Sequence, residues 1–195
     1  MVTHEPGAVV DQRDLVERAK RGDHDAFAAL AGPAVARLDA AARLILRDPE
    51  LARDAVQDGF IRAWRNLPAL RDPDRFDAWL RRLVVNSCID ITRRRRHRAI
   101  EVELTPIDAP AVTDMASVIA DRELLDEALK HLDPEWRAVV VLHYFLGMPM
   151  PEVSATLGIP LGTAKSRLHR SLGAMRASIA IDEATAMTIP GGQFA

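Results

Sequence analysis

Five arginines crowd one short stretch, Arg93, Arg94, Arg95, Arg96 and Arg98, in a chain whose formal net charge is −2. An arginine fork grips phosphate oxygens through paired hydrogen bonds and stays charged at any physiological pH. Asn86 and Asp90 precede the block at helical spacing. An asparagine amide can pair with a base edge while neighbouring arginines hold the backbone, so this stretch has the chemistry of nucleic-acid recognition. A second set stands further on: Thr163, Lys165, Ser166, Arg167, His169 and Arg170. These side chains can hydrogen-bond phosphates or base edges in a major groove. Each set also has a plainer reading: a basic helix face that only meets solvent or any polyanion.

Other chemistries find no support. The chain contains no nucleophile elbow, no glycine-rich phosphate loop and no Cys/His cluster at metal-ligand spacing. Its six histidines are scattered, and His143, beside Tyr144 and Phe145, reads as an ordinary helix residue. An enzyme is therefore not expected: no catalytic residue, cofactor or metal is implied. The single cysteine, Cys88, cannot form an internal disulfide. The N-terminus lacks the basic start and apolar core of a signal peptide. No apolar run approaches the roughly 20 residues of a membrane span, so direct membrane insertion is not expected and a reducing cytoplasm is.

The elements that position these residues follow from charge and periodicity. Between Leu80 and Arg98 stand seven arginines and one acid; between Ala99 and Glu127, eight acids and one arginine; between Ile159 and Arg176, four basic residues and no acid. Two basic zones flanking an acidic one suit two contacts with a polyanion and a connector that avoids it. Helix signals begin near Asp14. Gly22 ends a first helix, Asp23 caps the next, a further helix covers Ala34–Leu46, and Pro49 starts another that runs to about Asn66. Leu67–Phe76 holds two prolines and reads as a loop. On the long helix after it, 100° steps put Leu80, Leu83, Val84, Ser87 and Ile91 on one stripe. Arg82, Asn86 and Arg93 fall opposite, with Asp90 and His97 at the edge. Val85 and Ile89 point away from the Leu80 stripe and are expected to be exposed. Helices resume near Ile119, and Pro151–Leu172 reads as a helix-turn-helix hinged at Gly158.

Three segments, "LARDAVQDGFIRAWRNL", "FDAWLRRLVVNSCIDITRRRR" and "LDPEWRAVVVLHYFLGMPMPEVSATLGIPLGTAKSRLHRSL", resemble in order and spacing the bacterial RNA polymerase sigma factors of the extracytoplasmic-function (ECF) group. The resemblance implies an all-α fold of two small helical domains joined by a flexible acidic linker, the C-terminal one containing the helix-turn-helix. Residues 1–10 would be disordered. Residues 11–98 would be the region 2-like domain, 99–118 the linker, 119–180 the region 4-like domain and 181–195 a flexible tail. It implies binding to core RNA polymerase, at the β′ coiled coil and the β subunit, through Asp54, Gln57, Asp58 and Arg62. It implies promoter DNA as the second partner. Asn86, Asp90, Arg93, Arg94, Arg95, Arg96 and Arg98 would serve the −10 element; Thr163, Lys165, Ser166, Arg167, His169 and Arg170 would serve the −35 element. An anti-sigma factor that holds the protein inactive, in some relatives at the membrane, completes the expected partners. Pro149, Pro151 and Ala164 depart from the family's usual residues. The rival reading, a helix-turn-helix regulator with an N-terminal sensory or dimerising domain, explains the second basic zone and leaves the first unexplained.

Overall fold

The computed structural model describes residues 11–101 and 126–187, with side chains to Arg96 in the first stretch and to Ile179 in the second. Every regular element among the described residues is helical. Helix α1 (Gln12–Lys20) starts where the Asp11 carboxylate accepts from the Arg13 N–H. Gly22, at φ 93°, supplies the left-handed turn that follows. Asp23 then accepts from the Ala26 N–H and opens α2 (His24–Leu46). This is one helix where sequence periodicity suggests two. Pro33 sits inside it, and apolar burial of Leu30, Ala31 and Leu38 on either side outweighs the lost hydrogen bond. Asp48 caps α3 (Pro49–Asn66) by accepting from the Glu50 and Leu51 N–H groups.

Leu67–Ala69 and Pro73–Arg75 form two 3-10 turns. They lead into α4 (Phe76–Glu101). Residues 99–101, expected to open the linker, continue α4; after residues 102–125, which lie outside the described part, come α5 (residues 126–130) and α6 (Pro134–Val140). A π-helical turn covers Val141–Phe145. Then follow α7 (Met150–Leu157) and α8 (Leu161–Met187). Pro149 and Pro151 do not break α7: one stands just before it and the other in its first turn, where a missing N–H leaves nothing unpaired. Helix α8 runs on to Met187, beyond the end near residue 180 that the sequence suggests; residues 188–195 and 1–10 lie outside the described part.

Two cores meet across α4. Leu80 and Val84 face the first, with Val16, Leu38, Leu67 and Phe76. One helix face further round, Val85, Cys88 and Ile89 join Ala42, Ile45 and Ala55 in a second core that also takes in Ala138, Val139, Leu142, Val153 and Leu157 from the C-terminal half. Val85 and Ile89 are 1% and 5% exposed. The expectation that they lie open is corrected: the C-terminal half covers them, and each buried aliphatic side chain adds about 1.5–3 kcal/mol of hydrophobic stabilisation.

Polar contacts cross the same boundary. Buried Arg137 of α6 donates to the carbonyls of Leu129, Leu132 and, from α2, Ile45, at 3.0, 2.8 and 2.9 Å. Arg81 of α4 pairs with Glu152 of α7 at 2.7 Å, and Arg47 with Asp126 at 3.1 Å.

Candidate nucleic-acid interface

The outward face of α4 gathers the residues that helix phasing put together. Arg82, Asn86, Asp90 and Arg93 line one cavity of about 300 Å³. Its far wall is the end of α7 and the following turn, Ala155 to Gly158. A larger groove, about 750 Å³, opens beside it between the Ala69–Asp72 loop, Trp79, Arg81 and Arg82, and again α7. Loop and helix therefore offer a joint concave surface, edged with guanidinium groups, that meets the C-terminal half on its other side.

The arginines of the block do not share one environment. Arg93, Arg94, Arg95 and Arg96 are all exposed, but they point different ways. Arg95 turns to the far side of the helix and approaches Asp48, the cap of α3, at 3.6 Å. Arg98 lies outside the residues whose side chains are described.

Helix α3 separates the four residues expected to meet polymerase. Asp54 and Gln57 are exposed, and Ile61, missed in the sequence, lies beside them at 40% exposure. Asp58 and Arg62 are turned toward α4 instead. Ser87, fully buried, donates to Asp58 Oδ2 at 2.9 Å. Arg62 pairs with that same oxygen at 2.8 Å and donates to Asp90 Oδ2 at 3.0 Å. The hydrogen bond to Asp90, the largest influence, raises the Arg62 pKa above its ordinary value, while partial desolvation opposes it. Arg62 also lines the small cavity. The clue was available: counting 100° per residue puts Arg62 about 80° round from Asp54, toward the side where Gly59 meets α4.

Gly59 explains how α3 and α4 come so near. A Cβ there would stand 2.6 Å from Val84 Cγ2 and 2.7 Å from Val84 Cα. Only a hydrogen fits. Phe60 packs against the first core, and Trp64 stacks on His24 with Phe27 at its edge, so both aromatics serve packing.

In the second set, Gly158 takes the left-handed conformation at φ 64° that turns α7 into α8. Ser154 ties the turn by donating to the Ile159 carbonyl at 2.6 Å. Ala164 is fully buried at the seam. Lys165, Ser166, His169 and Arg170 are exposed, and Thr163 and Arg167 half-buried. Arg167 is paired with Glu135 of α6 at 3.0 Å, which braces α8 against its neighbour. Among the described residues no group of His, Cys, Asp or Glu could hold a metal, and no helix is long and apolar enough to cross a membrane.

Comparison with known proteins agrees with this architecture. Residues 34–98 match the family model "Sigma-70 region 2" and residues 122–175 match "Sigma-70, region 4". An RNA polymerase sigma-E factor from Streptomyces avermitilis is 38% identical over 135 residues, 69% of this chain and 74% of the relative. The ECF RNA polymerase sigma factor SigW of Bacillus subtilis is 27% identical over 175 residues, 83% of this chain and 92% of the relative. Among solved structures, CnrH in complex with the cytosolic domain of CnrY is similar at TM-score 0.62 and 31% identity, covering 88% of this chain and 99% of that one. The sigma factor RpoE from Bartonella quintana, solved with the anti-sigma factor NepR, shares the fold at TM-score 0.69 and 22% identity, covering 80% and 98%.

Proposed function

The chain belongs to the ECF group of bacterial RNA polymerase sigma factors, and from that premise we propose how its residues divide the work of promoter recognition and transcription initiation. The exposed face of α3, Asp54, Gln57 and Ile61, docks on core polymerase. The α4 face and the Leu67–Phe76 loop read and hold the opened −10 element. Asn86 and Asp90 address bases there, and Arg82, Arg93, Arg94 and Arg96 address phosphates. Lys165, Ser166, His169 and Arg170 on α8 read the −35 element in the duplex major groove. Residues 11–98 and 119–180 are the two working domains and 99–118 their connector. The family carries out initiation without enzymatic chemistry of its own. This reading gives both basic zones a role, where a helix-turn-helix regulator accounts only for the second.

The observation that carries the proposal is the convergence of Arg82, Asn86, Asp90 and Arg93 on one concave surface next to the loop. Extruding a base costs a few kcal/mol. A protein offsets that only by binding the opened state better than the closed one, and a face of α4 that presents amide and guanidinium groups beside the loop, once α7 has left it, favours an unstacked base.

The −10 and −35 elements lie about 25 base pairs apart, roughly 85 Å along the duplex at 3.4 Å per pair. With α7 packed on α4, the two reading surfaces cannot span that distance, so the halves part when both elements are bound. An anti-sigma factor would act on this equilibrium; the similar RpoE structure from Bartonella quintana is a complex with one. The place of action is the cytoplasm, with retention at the membrane only through such a partner.

The test is run-off transcription on genomic fragments with core polymerase and this chain. Promoter-specific transcripts are expected, and they should fall with Asn86→Ala and Arg93→Ala but little with Arg95→Ala. A chain that neither co-purifies with core enzyme nor directs it to any promoter would rule the proposal out.

A further inference from the structure

Arg62 comes from the helix that meets polymerase, yet its guanidinium lies on the DNA side. It bridges Asp58 Oδ2 and Asp90 Oδ2 at 2.8 and 3.0 Å and lines the cavity that holds Asn86 and Arg93. Its side chain is 32% exposed, and those of Asp58 and Asp90 are 46% and 37% exposed. Buried Ser87 fixes the other member by donating to Asp58 at 2.9 Å. We propose that Arg62 is a positioning residue for −10 recognition: it orients the Asp90 carboxylate and offsets its charge, so that an acid can face DNA beside Asn86.

The need for such a residue is electrostatic. A bare carboxylate on a surface that receives phosphates repels them, and more strongly where water is partly excluded. Asp90 is useful there only if its charge is offset and one oxygen is held, leaving the other free to accept from an exocyclic base amine. Arg62 does both. Arg82 and Arg93 line the same cavity, but among the described residues the carboxylate's ion pair is made by Arg62.

The inference rests on the promoter-reading role of α4 proposed above, so the experiment separates the two. Full-length protein carrying Arg62→Ala, Arg62→Lys, Asp90→Asn or Arg62→Ala with Asp90→Asn is titrated with core polymerase. Promoter opening is then followed by the fluorescence of a 2-aminopurine placed in the −10 element. Thermal melting checks each fold, and Arg62→Met, which keeps the apolar stem, replaces Arg62→Ala if that variant unfolds. Core affinity should change less than twofold, whereas opening at saturating core should fall about fivefold, the scale of a partly exposed charged pair. Adding Asp90→Asn to Arg62→Ala should restore most of the loss, and the base preference at one −10 position should shift in Arg62→Ala. A loss confined to core affinity, or additive effects of the two substitutions, overturns the inference while leaving promoter reading intact. A wild-type chain that opens no promoter overturns both.

Discussion

A buried guanidinium usually meets a carboxylate, but Arg137, 5% exposed, is held by three carbonyl oxygens and makes no ion pair among the described residues. Burial, the largest influence, lowers its pKa to about 10, still far above neutrality, so the charge persists. The planar fork reaches all three carbonyls at once; a lysine ammonium cannot. Arg137→Ala should therefore destabilise the protein by roughly 3 kcal/mol, since buried acceptors lose their partner, and Arg137→Lys should recover only part. Urea unfolding midpoints would measure both. Asp23 gives a pH prediction. The Ala26 N–H first, and then Arg18, hold its carboxyl below the ordinary value. An acid whose folded pKa is depressed contributes stability above its unfolded pKa and loses that contribution as pH falls through the folded one. Stability should decline on acidification below about pH 4, and Asp23→Asn, which keeps a capping oxygen but cannot titrate, should flatten that limb in urea melts between pH 2 and 6.

Between elements, the closest approach decides the geometry. Gly59 in α3 lowers helix propensity by about 1 kcal/mol relative to alanine, which taken alone predicts that Gly59→Ala stabilises. The Val84 backbone 2.7 Å from the added carbon reverses the sign. Gly59→Ala should destabilise by about 1–3 kcal/mol through overpacking, and it should displace α4 and the residues it presents to DNA. A thermal melt and an opening assay on the same variant would show both losses together. Helix identity was largely legible in the sequence because caps and breakers are local: Gly22, Asp23, Pro49 and Gly158 stand at the observed ends, whereas the caps Asp11 and Asp48 emerge only in the structure. The merging of two expected helices across Pro33 was not, since burial by distant residues decides it. The same limit applies at the site. Phasing put Arg82, Asn86 and Arg93 on one face of α4, but one helix's phase does not say that Arg62 reaches across from another, or that Arg95 turns to Asp48.

On the scale of the whole molecule, two modules were legible and their union was not. Periodicity shows that Val85 and Ile89 lie off the Leu80 stripe; it cannot say whether solvent, a partner or the rest of the chain covers them. The C-terminal half does, and in doing so it walls the cavity that α4 presents. Cys88, the only cysteine, is fully buried in that shared core, and desolvation pushes its pKa up to about 12. Thiolate is the reactive form, so the closed chain should resist a thiol-specific reagent. Parting of the halves, and local opening elsewhere around the thiol, would release that resistance. The labelling rate of Cys88 should rise several-fold when core polymerase and promoter DNA are added together, and an unchanged rate would argue that the halves stay joined. The burial that makes this thiol chemically inert thus turns it into a clock for opening: each modified molecule records one excursion, with no probe added to the chain.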